Sequence, residues 1–261
     1  MPDVAARLPE HGRISCPLCH LNQTIVFDST RRSDGNWRIT ANPLAWGNPD
    51  AEVVVLGFSK GPTQAGALAS TAHDQIAFKG SRLAVGKILA HIGLIPRQEP
   101  DALKRTVDHL IADRTGRFHF GSLIRCTVER LDRDGTWKGS GGGMLDKFVA
   151  APFGQEVARK CATRFLGVIS PSTKVVVMFG LGSKGNYINE SRKLFQQSQP
   201  GRWTMFNEIS YTDGKLMVVH VEHFASQGAL LPNWLGEKPH ERARLGVLAR
   251  EATQIGLAKS K

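Results

Sequence analysis

The stretch Glu52–Gly80, EVVVLGFSKGPTQAGALASTAHDQIAFKG, decides the fold. Its opening run is β-branched and almost wholly apolar, the pattern of a central parallel strand covered on both faces. The run stops at Gly57 and opens into a loop rich in Gly, Ser, Thr and Pro. In open α/β sheets, ligands bind just beyond the carboxyl ends of the strands. The loop is therefore expected to floor a site that later strand ends complete.

Upstream, residues 1–13 are polar and are expected to be a flexible terminus. Cys16-Pro-Leu-Cys19 follows, and a C-x2-C turn lets two thiolates converge on one metal ion or cluster. Redox and buried-thiol roles are the alternatives for such a pair. Residues 28–43 read as a loop or irregular hairpin. Pro43 and Gly47-Asn48-Pro49-Asp50 read as turn chemistry that launches the strand.

Downstream, Ser81–Gly93 repeats apolar residues at helical spacing, with Ser81 as cap and Gly93 as stop. Asp101–Asp113 is predicted helical and Phe118–Cys126 a second strand. Residues 129–148 form a charged, Gly-rich insertion, expected to be mobile. A helix over Gln155–Ile169 carries Cys161. Thr173–Gly180 is a third buried strand, and Asn186–Gln197 a helix. Thr212-Asp213-Gly214 marks a hairpin between Trp203–Tyr211 and Lys215–His223. His240–Ile255 is an amphipathic helix. The alternation implies an α/β fold with right-handed crossovers, specifically a three-layer α/β/α sandwich around a mostly parallel four-stranded sheet. Residues 14–257 are expected to form one domain, interrupted by the insertion at about 129–150.

The chain has 261 residues, enough to bury a core, and 34 Lys and Arg against 23 Asp and Glu give a net charge of +11. An excess of this size favours a polyanionic partner, nucleic acid before an acidic membrane surface; a merely basic soluble protein is the plainer alternative. No stretch approaches a membrane span, and the N-terminus lacks the apolar core of a secretory signal. An intracellular, cytoplasmic protein without membrane contact is expected. In a reducing compartment the four cysteines read better as metal or cluster ligands, or as buried thiols, than as disulfides. Cys16, Cys19, Cys126 and Cys161 come from three distant segments that the topology can bring to one edge of the sheet. Four thiolates suit either zinc or an iron–sulfur cluster.

Taken together, CPLC (16–19), VVVLGFSKGP (53–62), FKGSRLAVGKIL (78–89), GSLIRC (121–126), KCATRFLGVISPSTKVVVMFGLG (160–182) and VVHVEHFA (218–225) resemble the uracil-DNA glycosylase superfamily. The likeness is closest to its four-cysteine, iron–sulfur branch of family 4 and family 5 type. It covers roughly residues 16–235 in the family's order, with all four cysteines in place.

The resemblance implies hydrolysis of the N-glycosidic bond of uracil or a related base in DNA. The protein would be a monomer associated with the nucleoid. It implies a 4Fe–4S cluster on Cys16, Cys19, Cys126 and Cys161, with zinc as the alternative. It makes His223 the residue that meets the base carbonyl where charge develops, and Phe78 the one that stacks on the flipped base. Gly57 matches the first glycine of the loop motif, so Gly57, Phe58 and Ser59 fall at the substrate. The chain departs from the family at several of these positions. Phe58 replaces an acidic residue, Lys60 and Gly61-Pro62 replace Pro-Gly, Ser122 replaces the Asn that reads the base edge, and Phe224-Ala225 replace the Pro and its small neighbour after the His. Asp74, beside His73, is the only acid in the loop and the candidate for orienting water. Lys60 is a candidate phosphate contact, and Leu230 and Leu231 are candidates for an apolar wedge into DNA. A catalytically inactive nucleic-acid-binding member of the same fold is the second expectation.

Overall fold

A computed structural model describes residues 7–21, 23–61, 68–139, 144–182, 186–226 and 228–259. Parts of three expected features, at 1–6, 62–67 and 140–143, lie outside the described residues.

The chain begins with two short strands, β1 (Gly12–Arg13) and β2 (Arg31–Asp34). Then come β3 (Trp37–Thr40), β4 (Leu44–Gly47) and β5 (Val53–Gly57). Three helices follow: α1 (His73–Ile76), α2 (Arg82–His91) and α3 (Pro100–Ala112). Strands β6 (Phe118–Ser122), β7 (Thr127–Leu131) and β8 (Trp137–Gly139) precede α4 (Leu145–Val149) and α5 (Pro152–Cys161). The α5 helix runs on into a π-helical turn, Ala162–Leu166. Next are β9 (Val175–Phe179), α6 (Asn186–Ser198), β10 (Thr204–Asn207), β11 (Ser210–Thr212) and β12 (Met217–Val221). Helices α7 (Leu230–Trp234) and α8 (Ala243–Ala258) close the chain. No helix among the described residues is long and apolar enough to cross a membrane.

The fold is α/β, but the main sheet is wider than expected. It has eight strands in the order β1-β4-β6-β5-β9-β12-β11-β10, and it is mixed. The strands β6, β5, β9 and β12 at its middle are parallel to one another, while the outer strands pair antiparallel. Sequence reading missed β4 because LAWG is only one short run between Pro43 and a turn. It missed β1 because two polar residues carry no alternation. Residues 7–13 are thus not a loose terminus: Leu8 is 2% exposed, and Gly12 and Arg13 pair with Ala45 and Leu44. Gly47 ends β4 at φ +82, where a Cβ would overlap the Phe118 carbonyl, so only glycine permits this approach of the two strands.

β5 is the middle of the sheet, and Val53 to Leu56 are at most 1% exposed. Burying each such side chain stabilises by about 2 kcal/mol. The register pairs Gly57 with Ser122, Leu56 with Met178, and Phe179 with Val221. The four parallel strands therefore end level. Helices cover both faces. Gly256 of α8 rests on Val175 and Met217, and α3 packs on β4 and β6. On the other face, Ser191 of α6 meets His220 of β12 at 2.9 Å.

A second, antiparallel sheet has the order β2-β3-β7-β8. It contains the hairpin expected near residues 28–43. It also contains the described first half of the 129–148 insertion, which is built structure: Glu129 pairs with Gly139 and Leu131 with Trp137. Its inner face docks through Trp37, whose ring meets Phe148 of α4 edge-on at 5.1 Å.

Candidate functional site

Two groupings of chemistry-bearing residues form at the carboxyl ends of the parallel strands. They are separated by the alternation of β5. Val53, Val55 and Gly57 face the side of Phe118, Phe120 and Ser122; Leu56 and Phe58 face the other way.

On the first side lies an aromatic floor. Phe78 adopts φ +54, a left-handed conformation that costs a bulky residue about 1–2 kcal/mol and persists only when its surroundings enforce it. Three rings hold it edge-on: Phe120 at 5.9 Å, Phe179 at 5.6 Å and Phe224 at 5.1 Å. His223 stacks on Phe224 at 4.4 Å and 27°. Phe224, which in the sequence was only a departure from the family's proline, is thus what joins His223 to Phe78. Gly57 and Ser122 sit side by side at the adjoining strand ends, with Ser122 8% exposed.

The ring of His223 is fixed in one tautomer. Its Nδ1 accepts the Ala225 N–H at 3.1 Å, so the remaining proton is on Nε2. Burial holds its pKa below the ordinary value, against the opposing pull of Glu222. At neutral pH the ring is an uncharged donor. Glu222 builds the turn beneath it: Oε1 accepts the His223 N–H at 2.9 Å and the Ser226 hydroxyl at 2.7 Å, and Oε2 accepts Arg242 Nε–H at 2.6 Å.

Asp74 is elsewhere. Its carboxylate is 2.9 Å from His11 Nε2, and the rings of His11 and His73 meet edge-on at 4.6 Å. The ligand-capable atoms of His11, His73 and Asp74 lie within 4.8 Å of one another. The hydrogen bonds favour a proton there over a metal: His11 Nδ1 accepts the Gly47 N–H at 3.3 Å, which leaves the ring's proton on Nε2, beside Asp74. His73 Nε2 donates to Ala45 of β4 at 2.9 Å. β4 and β12 are separated by four strand spacings, about 19 Å. Asp74 is thus placed with His11 and His73 on the β4 side, and His223 follows β12. The two leucines also part: Leu230 is 41% exposed, while Leu231 belongs to the core.

On the second side are Phe58, Ser59, Lys60 and the cysteines. Phe58 is core, its ring 6.1 Å from Phe148, and is not at the aromatic floor. Ser59 Oγ accepts the Val128 N–H at 3.4 Å, facing the second sheet. Lys60 is buried, with Nζ donating to the Arg125 carbonyl. A sealed ammonium has no access to a phosphate backbone, so the DNA contact expected of Lys60 is corrected. Burial lowers its pKa to about 8, and Cys126 and Cys161 pull the other way.

Cys19, Cys126 and Cys161 are buried and Cys16 half-buried. Two bonds to main-chain carbonyls hold the C-x2-C loop, one from β2 and one from α5. Arg32 Nη1 donates to Cys19 O at 3.1 Å, and Lys160 Nζ donates to Leu18 O at 2.9 Å. Glu156 bonds both cations and is held down at about 2 by them, the hydrogen bond from Arg32 first. The thiols of Cys19 and Cys161 are hydrogen-bonded, lowering the pKa of the first and raising that of the second. Burial pushes Cys126 up to about 12, with Cys19 and Cys16 adding to it. The main-chain groups of Leu18, Asn42 and Arg125 pull the thiol pKa values of Cys16, Cys126 and Cys161 down, against burial. Backbone donors on sulfur favour the thiolate, so the donor set suits a thiolate-bound metal or cluster. No three of the sulfurs lie within 4.8 Å of one another, whereas four thiolates on one zinc sit about 3.8 Å apart.

Sequence reading passed over His20. It is 1% exposed, and burial lowers its pKa, with Arg32 adding to the effect and Gln23 opposing it. Its place directly after Cys19 was the available signal. A cavity of about 540 Å³ opens on the second sheet, lined by Arg130, Arg133 and Lys138, with Asp132 offsetting part of their charge.

No protein-family model matches the chain, and no curated protein matches it.

Proposed function

We propose that the chain is a uracil-DNA glycosylase-like enzyme that hydrolyses the N-glycosidic bond of uracil or a related deaminated base in DNA. Cys16, Cys19, Cys126 and Cys161 would hold a 4Fe–4S cluster, with zinc as the alternative, and the bound group would supply structural rigidity. One observation carries the reading. His223 is a half-buried, neutral imidazole with its proton on Nε2, stacked at the edge of an aromatic floor beyond the ends of parallel strands.

Breaking the bond leaves positive charge on the sugar and sends the electron pair out with the base. A donor fixed where that negative charge grows lowers the barrier. His223 Nε2–H would donate to the base carbonyl oxygen. Phe78 would stack on the flipped base, and the Ser122 hydroxyl would meet its edge. Water then bonds the sugar carbon, and the proton it loses passes through solvent to the departing base anion. The net charge of +11 supports a polyanionic substrate.

A second reading, a nucleic-acid-binding member without catalysis, is favoured by the carboxylates. Asp74 is engaged by His11, and Glu222 is committed to Arg242 and Ser226.

The test is incubation with single- and double-stranded oligonucleotides carrying uracil, hypoxanthine or xanthine, followed by alkali. Strand breaks at the modified base, lost in His223→Ala with metal content unchanged, are expected. Binding without breaks across the panel selects the second reading. Neither binding nor breaks overturns both.

A further inference from the structure

Lys60 and Arg125 are two cations enclosed with the cysteines. Lys60 is 7% exposed and Arg125 2%. Space has been reserved for the guanidinium: a Cβ on Gly121 of β6 would overlap it. The group lies 5.1 Å from the Phe165 ring centroid, and Nη1 donates to the Leu44 carbonyl at 3.3 Å. Its Nε–H has no hydrogen-bond partner among the described residues. The Lys60 ammonium donates to the Arg125 carbonyl.

Neither cation forms an ion pair with a carboxylate among the described residues. Asp28 is the acid that acts on Lys60, and its own oxygens accept from Asn42 Nδ2 at 2.8 Å and the Leu68 N–H at 2.9 Å. The groups nearest both cations are thiols: Arg125 directly precedes Cys126, its carbonyl receives the Lys60 ammonium, and its guanidinium lies over Phe165, four residues past Cys161. Two buried charges without an anion in the same enclosure are costly.

We infer that Lys60 and Arg125 are the counter-charge of a doubly negative four-thiolate metal centre, and that Lys60 ties the loop after β5 to that centre. Four thiolates around a zinc dication or a doubly positive 4Fe–4S core leave a matching double negative charge. The inference rests on the cysteines holding a metal and is the same for either occupant.

The test compares the full-length chain with Lys60→Met, Lys60→Arg, Arg125→Met and Arg125→Lys, all purified anaerobically. Iron, zinc and sulfide per chain are measured, with the rate of metal loss to a chelator and, where iron is present, the reduction potential. The neutral variants are expected to release metal about 10- to 100-fold faster. Any cluster potential should move negative, because a lost positive charge penalises the reduced state. Arg125→Lys should stay near the parent. Parent-like release and potential in Lys60→Met overturn the inference. If Lys60→Met does not fold, the Arg125→Met and Arg125→Lys pair decides by the same readouts. A parent chain that folds without iron or zinc sinks the thiolate reading itself, before any variant is compared.

Discussion

Glu222 Oε2 receives the Nε–H of Arg242 at 2.6 Å, while its other oxygen holds the turn that carries His223. One buried carboxylate thus fastens the last parallel strand to the start of α8 and aims the candidate donor. Glu222→Gln removes the charge and keeps the shape. It is expected to cost about 2 kcal/mol, below the full value for breaking a buried pair because Arg242 is partly exposed. Glu222 raises the pKa of His223, so the variant should titrate at lower pH, read from the imidazole resonances by NMR. An unmoved titration would remove Glu222 from the electrostatics of the site.

Phe78 is held in a strained conformation by three rings. Phe78→Ala should destabilise the fold by about 2 kcal/mol, because lost packing outweighs any relief. It should also weaken binding of a uracil-containing single strand by roughly 10-fold, the share of one base–aromatic stack. Fluorescence anisotropy measures this. Unchanged affinity in a folded variant would mean that Phe78 is packing alone.

His220 predicts acid sensitivity. It is buried between Gly180 O and Ser191 Oγ, and desolvation lowers its pKa from 6.5 to about 4. Above pH 6.5 neither state holds the proton and the contribution to stability is full. Between pH 6.5 and 4 the unfolded chain binds it and the folded chain does not, so stability falls as acid is added. The loss approaches about 3 kcal/mol at pH 4. Urea titrations from pH 7 to pH 5 should show the decline, and His220→Gln should flatten it by up to about 1.4 kcal/mol per pH unit. The same slope in both proteins would contradict the assignment.

Gly47→Ala tests the edge of the sheet. The new Cβ meets the Phe118 carbonyl at a positive φ, so backbone must move. A loss of about 3 kcal/mol or more is expected, in the range of overpacking combined with backbone strain. Thermal unfolding measures it. A near-neutral result would mean that β4 and β6 are not paired as described.

The buried strands were legible because VVVLG and VVVMF can be little else. Helix α2 was legible because its apolar period and Gly93 agree, although Ser81 sits at its N-cap without a side-chain capping bond. Less visible was what short strands add: LAWG between two turns has too few residues to show alternation, and GR has none. The sides of the candidate site were misread at one step. Gly57 faces the aromatic floor, so the period of two sends Phe58 the opposite way, into Phe148. Lys60 then lies among the thiols rather than at DNA. Phe224 was hidden for another reason. Its role is a contact between rings that are 146 residues apart in the chain, from Phe78 to Phe224, and no local pattern announces that.

The main chain of Leu123 and Ile124 bonds to Gly57 and Phe58 at 2.8 and 2.9 Å, prolonging the ladder past the end of β6. Within that one short span, Ser122 sits by the aromatic floor, Arg125 is sealed against Phe165, Cys126 joins the thiols, and Thr127 opens the second sheet. An insertion or deletion there would shift the floor, the buried cation, the thiol and the second sheet all at once. This one piece of backbone therefore couples the two groupings mechanically, so that displacing one displaces the other.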